Sequence, residues 1–122
     1  MIVVDSSLWV EHLRTDAPSA RISRYFSRPH DIFTPTVVLY EVFKKIRRER
    51  SASDAERLIA QIYKTKLVSL TEEIALCAAN VSLEHDLPMA DSIVYATAEL
   101  LDCKMVTLDN DFHKLPLAEV IR

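Results

Sequence analysis

Four acidic side chains of this chain sit in apolar company: Asp5, Glu41, Asp91 and Asp109, the last with Asp111 two places on. Each has a dull explanation. Asp5 follows the β-branched run Ile2-Val3-Val4 and can cap the helix that begins after it, although Ser6 and Ser7 suffice for that and leave the carboxylate spare. Glu41 lies in Val37-Val38-Leu39-Tyr40-Glu41-Val42-Phe43, where a lone glutamate is usually solvated; here apolar neighbours fall on nearly every side. Asp91, in Met89-Ala90-Asp91-Ser92-Ile93-Val94-Tyr95, can be an N-cap, and a helix N-terminus favours negative charge. Asp109-Asn110-Asp111 suits a turn. A buried charge is costly unless something pairs with it. Together these acids make an all-oxygen donor set, which selects Mg²⁺ or Mn²⁺ over zinc. Such a site suits phosphoryl transfer, because a hard cation activates water and neutralises charge on a phosphate.

The elements that must position these acids follow from the patterning. Ile2–Val4, Ile32–Thr34, Leu67–Leu70 and Lys104–Leu108 read as strands, with Val120-Ile121 a fifth at an edge. Helices are expected over Leu8–Arg14, from Asp16-Ala17-Pro18 to about Arg28, and over Val37 to about Arg50. Three more follow: Ala55–Lys64, Ile74 to about His85, and Ala90–Leu101, the last apolar nearly all round and therefore central. Ser51 and Thr71 carry cap signals. This alternation predicts an α/β fold, a single domain over 1–122 with a central, mostly parallel sheet of four to five strands flanked by helices. In such sheets sites form beyond the carboxyl ends of strands, where topology delivers Asp5, Glu41 and Asp109.

Bulk properties narrow the classes. A length of 122 residues suits one domain, and 27% charged with 49% hydrophobic residues is ordinary for a globular protein. The net charge of −3 rules out a generally basic nucleic-acid binder, so any such contact needs a local patch. Lys44, Lys45, Arg47 and Arg48 supply one on the Glu41 helix, unless they are only a solvated helix end; Arg14, Arg21 and Arg24 are weaker candidates. Glycine is absent, which excludes P-loops and dinucleotide fingerprints and leaves helices to end on Asn, Asp or frayed turns. Cys77 and Cys103 read as reduced core thiols of a cytoplasmic protein. No segment reaches the ~18 apolar residues of a membrane span. His12, His30 and His85 read as surface residues, and Trp9, Tyr25, Tyr40 and Phe43 as core or interface rather than base-stacking platforms.

The set Ile2-Val3-Val4-Asp5-Ser6-Ser7, then Leu39-Tyr40-Glu41-Val42, then Met89-Ala90-Asp91-Ser92-Ile93-Val94-Tyr95-Ala96-Thr97-Ala98, then Val106-Thr107-Leu108-Asp109-Asn110-Asp111-Phe112, resembles a PIN domain from end to end. It is most similar to the VapC type, the toxin half of type II toxin–antitoxin pairs. The resemblance implies a Mg²⁺-dependent endoribonuclease acting on RNA, usually a homodimer, held inactive by a small cognate antitoxin. It makes Asp5, Glu41, Asp91 and Asp109 the acidic quartet. Asp5, Asp91, Asp109 and Asp111 become the metal ligands, with Asp111 able to replace or assist Asp109. Ser6 and Thr107 would orient a carboxylate or a water. The missing glycines depart from the family pattern. A dimer or antitoxin surface is expected on the two N-terminal helices and the Glu41 helix. Rival readings fit less well. A haloacid-dehalogenase-type phosphatase wants a second Asp where Ser7 stands, and a receiver domain wants paired acids after its first strand. A non-catalytic binding module has no use for the four acids.

Overall fold

The computed structural model describes residues 1–14 and 19–122. The helix start expected at Asp16-Ala17-Pro18 lies outside the described residues. The chain runs β1 (Ile2–Val4), α1 (Ser6–Arg14), α2 (Ala20–Ser23), two 3₁₀ turns (Arg24–Phe26 and Pro29–Asp31), β2 (Ile32–Pro35), α3 (Thr36–Glu49) and α4 (Ala52–Ile62). It continues with β3 (Lys66–Val68), α5 (Glu72–His85), α6 (Met89–Leu100), β4 (Lys104–Thr107), a 3₁₀ turn (Asn110–Phe112) and β5 (Ala118–Val120). The long second helix expected to run to Arg28 is instead one short turn of α-helix followed by 3₁₀ structure. The other expected elements are present with ends shifted by a few residues; β5 begins at Ala118 rather than Val120.

All five strands are parallel, in the order β3-β2-β1-β4-β5. The chain therefore builds outward from β1 through β2 and β3, then crosses over to lay β4 and β5 on the other side. That reversal between β1 and β4 is a topological switch point, where parallel sheets leave a crevice beyond their carboxyl ends. Ile2 stands opposite both Ile32 and Lys104, and Val4 opposite Val106. The Asp5 N–H donates to the Val106 carbonyl at 2.9 Å, so the β1–β4 ladder holds Asp5 itself at the sheet edge.

Burial explains why the strands sit where they do. Val3, Val4, Met105 and Val106 are fully buried in the two central strands. Each such side chain contributes about 1.5–3 kcal/mol to the stability of the sheet. β3, at an edge, is largely exposed. Helix α6 is buried at every position from Ser92 to Ala98, as its all-round apolar pattern predicts. It runs back against the strand direction to start β4, so its N-terminus lies at the same edge as Asp5. Without glycine, two turns use aspartate in the left-handed region: Asp86 (φ 54°) after α5 and Asp102 (φ 53°) after α6. Aspartate tolerates this conformation better than most residues. Ser51 and Thr71 act as caps as expected, accepting from the Asp54 and Ile74 N–H groups at 3.0 and 3.2 Å.

Candidate active site

Asp5 is the buried centre of the acidic edge, only 4% exposed. Two hydroxyls donate to its Oδ2: Thr107 Oγ1 at 2.7 Å and Ser7 Oγ at 3.1 Å. Each hydroxyl also accepts from the chain beyond β4. Ser7 Oγ takes the Leu108 N–H at 3.0 Å, and Thr107 Oγ1 takes the Asp109 N–H at 2.9 Å. The end of β1 is thereby clamped to the segment that carries Asp109 and Asp111. Burial pushes the Asp5 carboxyl up from its ordinary pKa; the bonds from Thr107, Ser7 and the Ser6 backbone oppose this, and Asp109 adds to it.

Ser7 is the residue that sequence reasoning assigned wrongly. Ser6 or Ser7 is expected to cap α1, but the helix begins at Ser6, and Leu8 and Trp9 donate to the Asp5 carbonyl. Ser6 serves the other side of the crevice. Burial first, then the Asp5 charge, raises the Glu41 pKa, and the Ser6 side chain beside it opposes the rise. Glu41 sits in the second turn of α3, whose buried stripe is Val38, Val42 and Ile46. It is half-buried rather than enclosed by apolar neighbours, because Tyr40 beside it is 60% exposed and Phe43 is also open to solvent.

Asp91 is not an N-cap: Pro88 precedes α6 and Asp91 is its third residue. Every influence on it points the same way. Burial, then Asp5, Asp109, Glu41 and Asp111 in that order, push its carboxyl up to about 6. Four chain segments thus bring five carboxylates into one electrostatic neighbourhood. Asp109 Oδ1 also accepts from the Asp111 N–H at 2.9 Å, capping the 3₁₀ turn. Asp109 acts on both Asp5 and Asp91, whereas Asp111 is exposed and acts on Asp91. His113 is exposed and its Nδ1 lies 2.8 Å from the Asn110 carbonyl. His12, expected at the surface, is half-buried and stacks on Phe26 with ring centroids 3.9 Å apart. Cys77 and Cys103 are free thiols, each half-buried rather than in the core.

The donor set is compatible with a hard divalent cation. Among the described residues no group of three or more His, Cys, Asp or Glu side chains is placed so that it could hold a metal ion. Mg²⁺ does not require one, since it keeps several waters and is usually held through one or two carboxylates.

A groove of about 540 Å³ leads away from the acids between α1 and α3. Ser6, Ser7 and Glu41 line its inner end; Arg14, Lys44, Lys45 and Arg48 line its outer part. Arg47, the fourth basic residue expected here, is exposed and not part of the lining. Of the large apolar side chains on the described parts of α1 to α3, only Tyr40 and Phe43 are exposed. The more open ones lie elsewhere: Leu76 and Leu83 on α5, and Met89 at the start of α6. A second, apolar groove of about 370 Å³ runs there, with Leu70, Ala79, Met89 and Ile93 in its walls. Among the described residues no helix is long and apolar enough to cross a membrane.

A parallel sheet with carboxylates gathered at its switch point defines an α/β protein whose site lies at the strand ends. The profile of the PIN domain matches residues 2–117, and the chain belongs to that family. No curated protein sequence matches it. Among solved structures it is similar to a toxin–antitoxin complex from Klebsiella pneumoniae, with TM-score 0.86 and 15% identity over 100% of this chain and 98% of the other. VapC20 from Mycobacterium tuberculosis, a sarcin–ricin loop cleaving toxin, superposes with TM-score 0.81 and 22% identity over all of both chains. The DNA-bound VapBC of Salmonella typhimurium gives TM-score 0.81 and 11% identity over 98% of this chain and 95% of that one. At these identities the likeness speaks for the fold.

Proposed function

We propose that this chain is a Mg²⁺-dependent endoribonuclease, with Mn²⁺ able to substitute, and the cytoplasmic toxin of a type II toxin–antitoxin pair. The observation that carries this is the meeting of acids from four chain segments around a buried, hydroxyl-clamped Asp5. Similarity in fold to a sarcin–ricin loop cleaving toxin supports the reaction, and similarity to toxin–antitoxin complexes supports the partner. Asp5, Asp91, Asp109 and Asp111 are the residues to hold the cation, and Asp5, Glu41, Asp91 and Asp109 the acids on which cleavage depends. A bound Mg²⁺ supplies charge neutralisation at the phosphate and activation of water. Glu41, half-buried and with its carboxyl pKa raised, is suited to take the proton from the attacking water. Thr107 and Ser7 keep Asp5 in one orientation. The basic groove receives the RNA, and the apolar face on α5 and α6 carries a second copy of the chain in a homodimer. The whole of 1–122 works as one domain.

The test is cleavage of structured RNA with and without Mg²⁺ by wild type and Asp91→Ala. Loss of about 4 kcal/mol of transition-state stabilisation is a drop of about a thousandfold. Equal cleavage by both proteins, or equal cleavage in a chelator, would overturn the assignment. RNA binding without any cleavage by wild type would leave a binding module instead.

A further inference from the structure

Tyr40 has no role that the fold requires. The buried stripe of α3 is Val38, Val42 and Ile46, and Tyr40 points away from it with 60% of its surface in solvent. An aromatic ring normally gains from burying its large apolar area, so an open one in the wall of a groove is out of place unless something covers it. Lys44 steadies it: Nζ lies 5.5 Å from the ring centroid and 3.4 Å from the hydroxyl. The ring stands beside Glu41 in the groove lining, one residue before it on α3, and the groove then turns basic, with Arg14 on the α1 wall and Lys45 and Arg48 on the α3 wall. Glu11 is the one acid in the lining besides Glu41. From Glu41 to Arg48 is seven residues, or about 10 Å along the helix. Along α3 the flat ring and the acid thus stand side by side, and the cations follow one to two turns on.

That arrangement matches an unpaired nucleic-acid strand: a phosphate at the acids with a base on the ring beside them, then further phosphates along the groove. A base in a duplex has no free face to offer the ring, whereas splayed bases stack on aromatic side chains. The cations are held only loosely. Arg14 and Lys45 both reach Glu49, at 3.5 and 3.6 Å, in exposed pairs that a phosphate can displace at little cost. Resting on the nuclease reading above, we propose that the α1–α3 groove takes a single RNA strand, with the base next to the cleaved phosphate stacked on Tyr40 and the following phosphates on Arg14, Lys45 and Arg48.

The experiment is fluorescence anisotropy with a short labelled oligoribonucleotide, single-stranded or annealed to its complement. Asp91→Asn is carried in every protein so that the RNA stays intact. The single strand binds about tenfold or more tighter than the duplex. Tyr40→Phe keeps affinity within about twofold, while Tyr40→Leu, which retains apolar bulk but no flat face, loses about tenfold with an unchanged salt dependence. Arg14→Ala lowers the salt slope by about one. Tyr40 is exposed, so these variants keep the fold. Wild-type-like RNA binding by Tyr40→Leu overturns the stacking role, as does equal binding of duplex; if that variant instead loses only its antitoxin, the ring belongs to a protein interface. Those results leave the nuclease assignment standing. Failure of the otherwise unmodified chain to bind or cut any RNA removes the assignment and the proposal together.

Discussion

The two sides of the acidic crevice handle negative charge in opposite ways. On the β1–β4 side, Asp5 is almost fully buried, but two hydroxyls meet at its Oδ2 and tie it to the backbone of the next segment. On the α6 side, Asp91 is half-open, and every influence acting on it is repulsive or desolvating. Asp5 is therefore fixed before anything binds, and Asp91 waits for a positive charge or a proton. A rigid carboxylate beside a poorly compensated one is an economical way to hold a cation that retains most of its water. In the proposed site the first would set the position and the second would supply the affinity.

The largest effect expected from this contrast is one of sign. Asp5→Ala takes the acceptor from two hydroxyls, one of them on the fully buried Thr107, and loosens the tie between β1 and the segment after β4. Removing a partner in this way typically costs about 1–3 kcal/mol. The metal-free protein should melt several degrees lower, in the range of 3–6 °C per ~1 kcal/mol for a domain of this size. Asp91→Ala removes repulsion and breaks no hydrogen bond found among the described residues. The metal-free variant should melt at or above the wild-type temperature. Mg²⁺ should raise the melting temperature of wild type and of neither variant. If both substitutions lower the melting temperature alike, the two sides do not differ as described.

A smaller effect follows from pH. The Asp91 carboxyl is raised from 3.8 to about 6 in the fold, so the folded chain binds more protons than the unfolded chain between those values. Stability of the metal-free protein then falls as pH rises from about 4 to about 6, and is flat above. Screening at a half-open site limits the contribution to the order of 1 kcal/mol. Asp5 and Glu41 are shifted in the same direction and add to the slope. Denaturant titrations across this range should show the decline in wild type and a shallower one in Asp91→Asn. A stability that climbs with pH through the window would contradict the charge state assigned to the α6 side.

How much of this contrast is legible in the sequence depends on the range of the signal. Asp5 and Asp109 could be placed at one edge because each closely follows a strand-like run and parallel topology sends strand ends to one edge. The apolar helix after Asp91 could only be central, which put its first turn near the core. Tyr40, expected in the core or at an interface, is not in the core; among Val37-Val38-Leu39 a dense apolar run hides the period. The spacing of Val38, Val42 and Ile46 contains the answer, since on a 3.6-residue helix it turns Tyr40 outward. The short, partly 3₁₀ course of the chain around Arg24–Phe26 was read as continuous helix, because 3₁₀ and α turns share the same local pattern. No local signal could separate Ser6 from Ser7. Their roles are set by partners about 35 and 100 residues away, Glu41 and Thr107, which come near only in the fold.

That pair of adjacent serines gives the finest test of the contrast. Ser7→Ala removes a donor to Asp5 and the acceptor for the Leu108 N–H, both in partly buried surroundings. The cost should be about 1–2 kcal/mol, with a further rise in the Asp5 pKa because one of the bonds opposing its burial is gone. Ser6→Ala removes a hydroxyl that lies beside the half-buried Glu41 and makes no side-chain hydrogen bond found among the described residues, and should cost less than about 0.5 kcal/mol. The two variants have the same chemistry one residue apart, so propensity and capping differences nearly cancel. Chemical denaturation of the two proteins therefore compares the two sides directly. An equal loss in both would mean that the hydroxyl clamp on Asp5 is no stiffer than the contact on Glu41, and that the order in the crevice comes from the sheet alone.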